Sequence, residues 1–142
     1  MVVNERESTS DGTQPIHVDG RSAEEVARVV IGAAMRVMNA LGPGLPEKCY
    51  ENALMFDLID SGYEVSQQAR FPVVYNGRKV GTLIPDLIVD RMPIADPKIV
   101  DAIGKPQISQ MLTCLAVTGL PLALLINFRS AKIAWRQVHP PT

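Results

Sequence analysis

The sequence predicts an α/β fold, a mixed central sheet flanked by helices, in the order helix, helix, three strands, helix, two strands (ααβββαββ). Three observations carry that expectation. Apolar residues recur at helical spacing in two stretches before residue 62 and one after residue 104. Runs rich in Val, Ile, Phe and Tyr, broken by turn residues, fill much of 71–98. The unbroken apolar run from Leu122 to Ile126 suits a strand covered on both faces.

Residues 1–20 are polar, rich in Gly, Pro, Ser and Thr and without periodicity, and read as a flexible tail preceding a single domain over 21–142. Ser22 and Glu25 form a capping box, after which Val26, Val29, Val30, Ala33, Ala34, Val37, Met38 and Leu41 trace one helical stripe. Gly42-Pro43-Gly44 stops that helix. Pro46 suits the first position of a second helix, whose stripe is Tyr50, Ala53, Leu54, Leu58 and Ile59 and whose end is Ser61-Gly62. Phe71–Tyr75 and the segment from Val80 onward flank Asn76-Gly77, a strong two-residue hairpin turn. A second loop, Asp90-Arg91-Met92, extends the hairpin to a three-stranded meander. Residues 105–118 read as a helix closed by Gly119, and a last strand covers 132–138. No internal repeat is visible.

Composition narrows the function classes. At 142 residues, 46% hydrophobic and 20% charged, the chain has the make-up of an ordinary soluble domain. No apolar run reaches the roughly 18 residues of a membrane span, and the amino terminus lacks signal-peptide order, so a cytoplasmic protein without a membrane partner is expected. Cys49 and Cys114 are too few and too far apart for a metal knuckle and read as buried, unreactive thiols. His17 and His139 fall in the terminal segments, which argues against a histidine triad or a zinc site. Net charge is −1, but residues 1–63 hold 5 Lys/Arg against 10 Asp/Glu and residues 64–142 hold 9 against 5. The carboxyl-terminal half is the basic half, as a phosphate-tracking surface requires. A homo-oligomer is compatible with this composition but has no support in it.

The most informative residues are Asp86, Asp96 and Lys98. A three-residue loop at 90–92 sets Asp86 opposite Asp96, and directly opposed side chains have Cβ atoms about 4.5–5.5 Å apart. Like charges at that separation call for a neutralising partner, and a divalent cation is one. Lys98 falls on the same strand face as Asp96 because side chains alternate, whereas Pro97 points the other way. Two carboxylates and an ammonium on one spot suit phosphoryl transfer, with oxygen ligands for a Mg²⁺-like ion and a lysine beside the developing charge. Pro93 and Pro97 lack ladder donors, so this strand is expected to lie where missing N–H groups are tolerated.

With those residues placed, the chain resembles the GxxExxY protein family, a branch similar to the PD-(D/E)xK nuclease superfamily, over roughly residues 26–138. The resemblance rests on Gly44, Glu47 and Tyr50 in LGPGLPEKCY, on Pro85-Asp86 followed by Asp96-Pro97-Lys98, on Gln110 in the third helix and on LALLINF at 122–128. It implies a restriction-endonuclease-like core over 21–142 and a metal-dependent phosphodiesterase acting on nucleic acid, DNA ahead of RNA. Asp86, Asp96, Lys98, Glu47 and Gln110 would be the catalytic residues, with Asp86, Asp96 and Glu47 holding Mg²⁺ or Mn²⁺. Aspartate at 96 and proline at 97 replace the family's usual glutamate and free residue, and Cys114 replaces an aromatic residue. The second reading is a catalytically inactive module of the same fold that binds nucleic acid or a protein partner. Trp135 and the methionines are assigned to packing.

Overall fold

A computed structural model describes residues 20–141; the expected tail, apart from Gly20, and His17 lie outside these residues. Helix α1 spans Ala23–Leu41 and opens on the expected capping box. The Ser22 hydroxyl accepts from the Glu25 amide at 3.1 Å, and the Glu25 carboxylate accepts from the Ser22 amide at 2.7 Å. Its stripe is buried from Val26 to Met38 except for the half-buried Val29, while Leu41 remains exposed. Gly42, with φ of +74°, turns the chain out of the helix. Helix α2 spans Glu47–Asp60, so Pro46 stands one residue before the helix rather than as its first residue. Tyr50, Leu54 and Leu58 are fully buried, but Ile59 is exposed at the helix end.

Seven strands follow or interleave, two more than expected. They are β1 (Val65–Gln67), β2 (Phe71–Tyr75), β3 (Arg78–Leu83), β4 (Leu87–Val89), β5 (Pro93–Lys98), β6 (Leu122–Asn127) and β7 (Ala134–Val138), with helix α3 (Lys105–Thr118) between β5 and β6. Five of them form the central sheet in the order β1-β4-β5-β6-β7, in which only β5 and β6 run parallel. The fold class is therefore as expected, a mixed sheet between helices, but the meander is not. Strands β2 and β3 form a separate two-stranded sheet, and the chain leaves β3 at Ile84-Pro85-Asp86 before β4 begins. Pro85 offers no donor to continue a ladder, so the expected single strand from Val80 onward splits into β3 and β4, and the edge of β4 that the Phe71–Tyr75 strand was expected to occupy is taken by β1. Strand β1 has three half-buried residues and no apolar alternation, so periodicity gives no sign of it.

Two apolar layers cover the central sheet. Leu87, Val89, Ala95, Leu122, Leu124 and Ile126 pack against α1 and α2. Ile88, Ile94, Ala123 and Leu125 face α3 and the base of the β2–β3 hairpin, where Phe71 and Leu83 join them. Strand β6 is buried along its whole length, as its sequence implies.

Strand β5 is central, not an edge, yet carries both prolines. Pro93 is its first residue. The Lys98 carbonyl accepts from the Phe128 amide at 2.8 Å, which directs Lys98 and, two residues back, Asp96 toward β6. Alternation then directs Pro97 toward β4, beyond that strand's Leu87–Ala95 pairing, so no ladder bond is lost.

Candidate active site

The β4–β5 hairpin places the acidic pair. Leu87 pairs with Ala95 and Ile88 with Ile94, and the same register carried one residue further sets Asp86 opposite Asp96. Both share the face of Ile88 and Ile94, the face toward α3, by alternation. The two carboxyl groups are close enough to hydrogen-bond. Lys98, two residues on, brings its Nζ to 3.3 Å from Asp96 Oδ2. These three side chains and Gln110 of α3 line one cleft of about 460 Å³, to which Thr82–Ile84 also contribute.

Asp96 is only 7% exposed. Burial pushes its pKa up to about 8, and its hydrogen bond to Asp86 and the Asp86 charge add to the rise, against the pull of Lys98. Without a cation the pair thus keeps a proton near neutral pH, which is the chemical form of the like-charge conflict inferred from the register. Cys114, one turn after Gln110, lines the same cleft. Burial and the two aspartates raise its thiol pKa to about 11, in keeping with an inert thiol, whereas Cys49 proves exposed rather than buried.

Glu47 approaches from the other layer. It occupies the first turn of α2, and its carboxylate accepts from the Ile99 amide at the end of β5. Partial burial raises its pKa, Asp86 and Glu51 add to the rise, and Lys98 and Ile99 oppose it. Glu47 therefore senses Asp86 and Lys98 without lining the cleft that holds them. Tyr50 fixes the turn that delivers it. Its ring is fully buried and stacked on Phe128 with centroids 4.9 Å apart. Its hydroxyl donates to the Gly42 carbonyl at 2.6 Å and accepts from the Leu45 amide at 3.1 Å. Gly44, with φ of +104°, adopts a conformation open to glycine within that turn.

Three neighbours were not anticipated from the sequence. Glu51, one helical turn after Glu47, is buried and accepts from Lys48 at 3.2 Å, Gln67 at 2.8 Å and Gln68 at 3.0 Å. The Gln68 amide also reaches Asp86 Oδ1 at 3.4 Å, and its backbone N–H donates to the Asp86 carbonyl at 3.0 Å. Gln68 pays for this in backbone conformation, with φ of +59°. The spacing of Glu47 and Glu51 marks one helix face and could have suggested the acidic ridge; nothing in the pattern marks the two glutamines.

Among the described residues, no group of three Asp, Glu, Cys or His side chains is arranged as a ready-made metal cage. Two adjacent carboxylates nevertheless fit a Mg²⁺-type ion, which commonly takes one or two protein carboxylates and fills its shell with water and phosphate oxygens. Trp135 is 44% exposed and does not serve the core as expected. No helix among the described residues is long and apolar enough to cross a membrane.

The sequence profile described as the PD-(D/E)XK nuclease superfamily matches residues 24–138. No curated protein matches the chain. Among solved structures, the alkaline exonuclease LHK-Exo from Laribacter hongkongensis is similar at 15% identity and a TM-score of 0.46, over 83% of this chain and 82% of that one. The same exonuclease in complex with dAMP gives 15% and 0.46, over 83% of each chain. The protein SSO0001 gives 12% and 0.45, over 89% of this chain and 71% of that one.

Proposed function

The chain belongs to the PD-(D/E)XK nuclease superfamily, and on that premise we propose that it is a divalent-metal-dependent phosphodiesterase acting on nucleic acid, DNA ahead of RNA. The observation that carries the reading is the contact of Asp86 with Asp96 in a cleft that also holds Lys98 and Gln110. We further assign the chain to the GxxExxY branch, because Gly44, Glu47 and Tyr50 act together in the turn that leads Glu47 to the end of β5. The proposal treats residues 21–142 as one domain of this kind.

In this reading Asp86 and Asp96 hold Mg²⁺ or Mn²⁺, with Glu47 as the third acidic group. When bound, such an ion supplies Lewis acidity toward the phosphate and an activated water. The chain's own residues do the rest. Lys98 offsets the negative charge that develops on the phosphate, worth most in a partly buried cleft, where its side chain is 21% exposed. Gln110 presents an amide that can orient a phosphate oxygen or water by hydrogen bonding. Glu51, through Gln68, fixes the carboxylate of Asp86.

The test is cleavage of single-stranded DNA, duplex DNA and RNA with Mg²⁺ or Mn²⁺. Cutting is expected only with metal, and Lys98→Ala is expected to lose it while retaining metal binding, since an ammonium is no cation ligand. Absence of cleavage on all three substrates with either metal overturns the enzyme reading in favour of an inactive binding module.

A further inference from the structure

The β2–β3 hairpin stands apart from the central sheet, and its two ends have different character. At its base Phe71 and Leu83 pack into the apolar layer beneath α3. At its tip the Asn76-Gly77 turn, with φ of +49° and +75°, closes the Tyr75–Arg78 pair, and the apolar side chains there have nothing to cover them. Tyr75 is 68% exposed, Val80 63% and Val74 58%. Arg78 and Lys79 lie exposed beside them, and neither forms an ion pair among the described residues.

The pairing of Tyr75 with Arg78 sets an aromatic ring and, among the described residues, a guanidinium without an ion pair on one face of the tip, while Val74 and Lys79, paired in turn, share the opposite face. Charge complementarity selects a polyanion. The exposed ring selects further, because bases in a duplex are stacked on each other and only an unpaired base offers its face. The hairpin is also continuous with the cleft: β3 leads from Arg78 at the tip to Thr82 and Leu83, which with Ile84 line the cleft that holds Asp86 and Asp96.

We propose that the tip of the β2–β3 hairpin binds an unpaired nucleic-acid strand entering or leaving the cleft, with Tyr75 stacked on a base and Arg78, on the same face, on a flanking phosphate. This rests on the nuclease reading and adds a substrate preference to it. From Arg78 to Thr82, where β3 reaches the cleft, the strand advances about 13 Å at 3.3–3.4 Å per residue. At 3.4 Å per nucleotide of a stacked strand, the tip meets the substrate about four nucleotides from the cleft.

The hairpin variants Tyr75→Ala, Tyr75→Phe and Arg78→Ala alter exposed side chains and are made in a Lys98→Ala background. Binding to a fluorescent 20-nucleotide single strand and to a blunt duplex of the same length is followed by anisotropy with Mg²⁺ over a salt series. Tyr75→Ala should weaken single-strand binding about 5- to 100-fold, with duplex binding changed less than about twofold and Tyr75→Phe retaining affinity. The Arg78→Ala variant should lower the slope of log K against log salt by about 0.7 on the single strand. In the Lys98 protein, Tyr75→Ala should raise KM for strands longer than about four nucleotides and leave kcat unchanged. Wild-type affinity and salt slope in both hairpin variants, with metal-dependent cutting intact, overturn the inference and leave the nuclease reading standing. Equal losses on strand and duplex overturn the stacking role. A wild type that neither binds nor cuts either substrate overturns both.

Discussion

Asp86 and Asp96 meet across the open end of the β4–β5 hairpin, their carboxyl groups in hydrogen-bond contact and Asp96 nearly closed to solvent. A pair of acids so placed is a poor arrangement for a sheet unless a proton or a cation joins them. In the metal-free protein the proton does so, and this sets its pH behaviour.

The first prediction follows from the sign of that shift. Asp96 is raised from 3.8 to about 8 in the folded protein, so between those values the native state binds a proton that the unfolded chain has released. Stability of the chelator-treated protein should fall as pH rises through this window and level off above about pH 8. Melting curves between about pH 5 and 9 check it. Asp96→Asn should flatten the slope and be at least as stable as wild type at the alkaline end; an equally steep slope in the variant would remove Asp96 as its source.

A divalent ion reverses the relationship. It requires both carboxylates ionised, so binding releases the shared proton and tightens as pH rises toward 8. Mg²⁺ or Mn²⁺ at about a hundred times its dissociation constant should stabilise the fold by about 2.7 kcal/mol. Calorimetry in two buffers of different ionisation enthalpy reads the released proton. Asp86→Asn should abolish most of the thermal gain, and an unchanged melting temperature at millimolar metal in wild type would count against the metal site.

How much of this was legible in the sequence depends on the range of the interaction. The capping box at Ser22, the Asn76-Gly77 turn, the buried run of β6 and the hairpin register are local, and each is as expected. The register was decisive, because loop length alone brought Asp86 to Asp96. The separate β2–β3 sheet was illegible, since the expected strand from Val80 onward breaks at Ile84-Pro85-Asp86 and the edge of β4 is taken by β1, which stands more than ten residues away in the chain. The same holds for Gln68, whose role depends on a left-handed backbone and on two carboxylates from α2 and the β4 entrance. The prolines of β5 were expected to lie where missing N–H groups are tolerated, and the shortness of β4 supplies that tolerance inside the sheet.

Gln68 provides a test that separates strain from function. Gln68→Gly accepts the positive φ without cost, so loss of the side chain should change stability by no more than about 1 kcal/mol. Its amide bonds to Glu51 and Asp86 disappear, however, leaving Asp86 free to rotate and Glu51 short of a donor. Cleavage should fall about tenfold or more in kcat, with the pH dependence of metal binding displaced. Gln68→Asn, which tolerates the left-handed conformation but has a shorter reach, should fail in the same direction. Wild-type turnover in Gln68→Gly would show that Asp86 is held without it.

Tyr50 links the family motif to the same end of β5. Tyr50→Phe preserves the ring stacked on Phe128 and removes only the hydroxyl, leaving the Gly42 carbonyl and the Leu45 amide without their partner. Both groups belong to the turn that leads into α2, where water can replace part of what is lost, so the expected cost is about 1–2 kcal/mol rather than the full penalty for two buried groups. The more specific consequence concerns Glu47, whose carboxylate reaches the Ile99 amide only if the turn holds its place. Amide exchange at Leu45 and Ile99 should therefore quicken together in Tyr50→Phe, while amides of β6 retain wild-type protection. Faster exchange at Leu45 with Ile99 unchanged would mean that Glu47 finds its partner independently of the turn, and that the tyrosine acts on the loop alone.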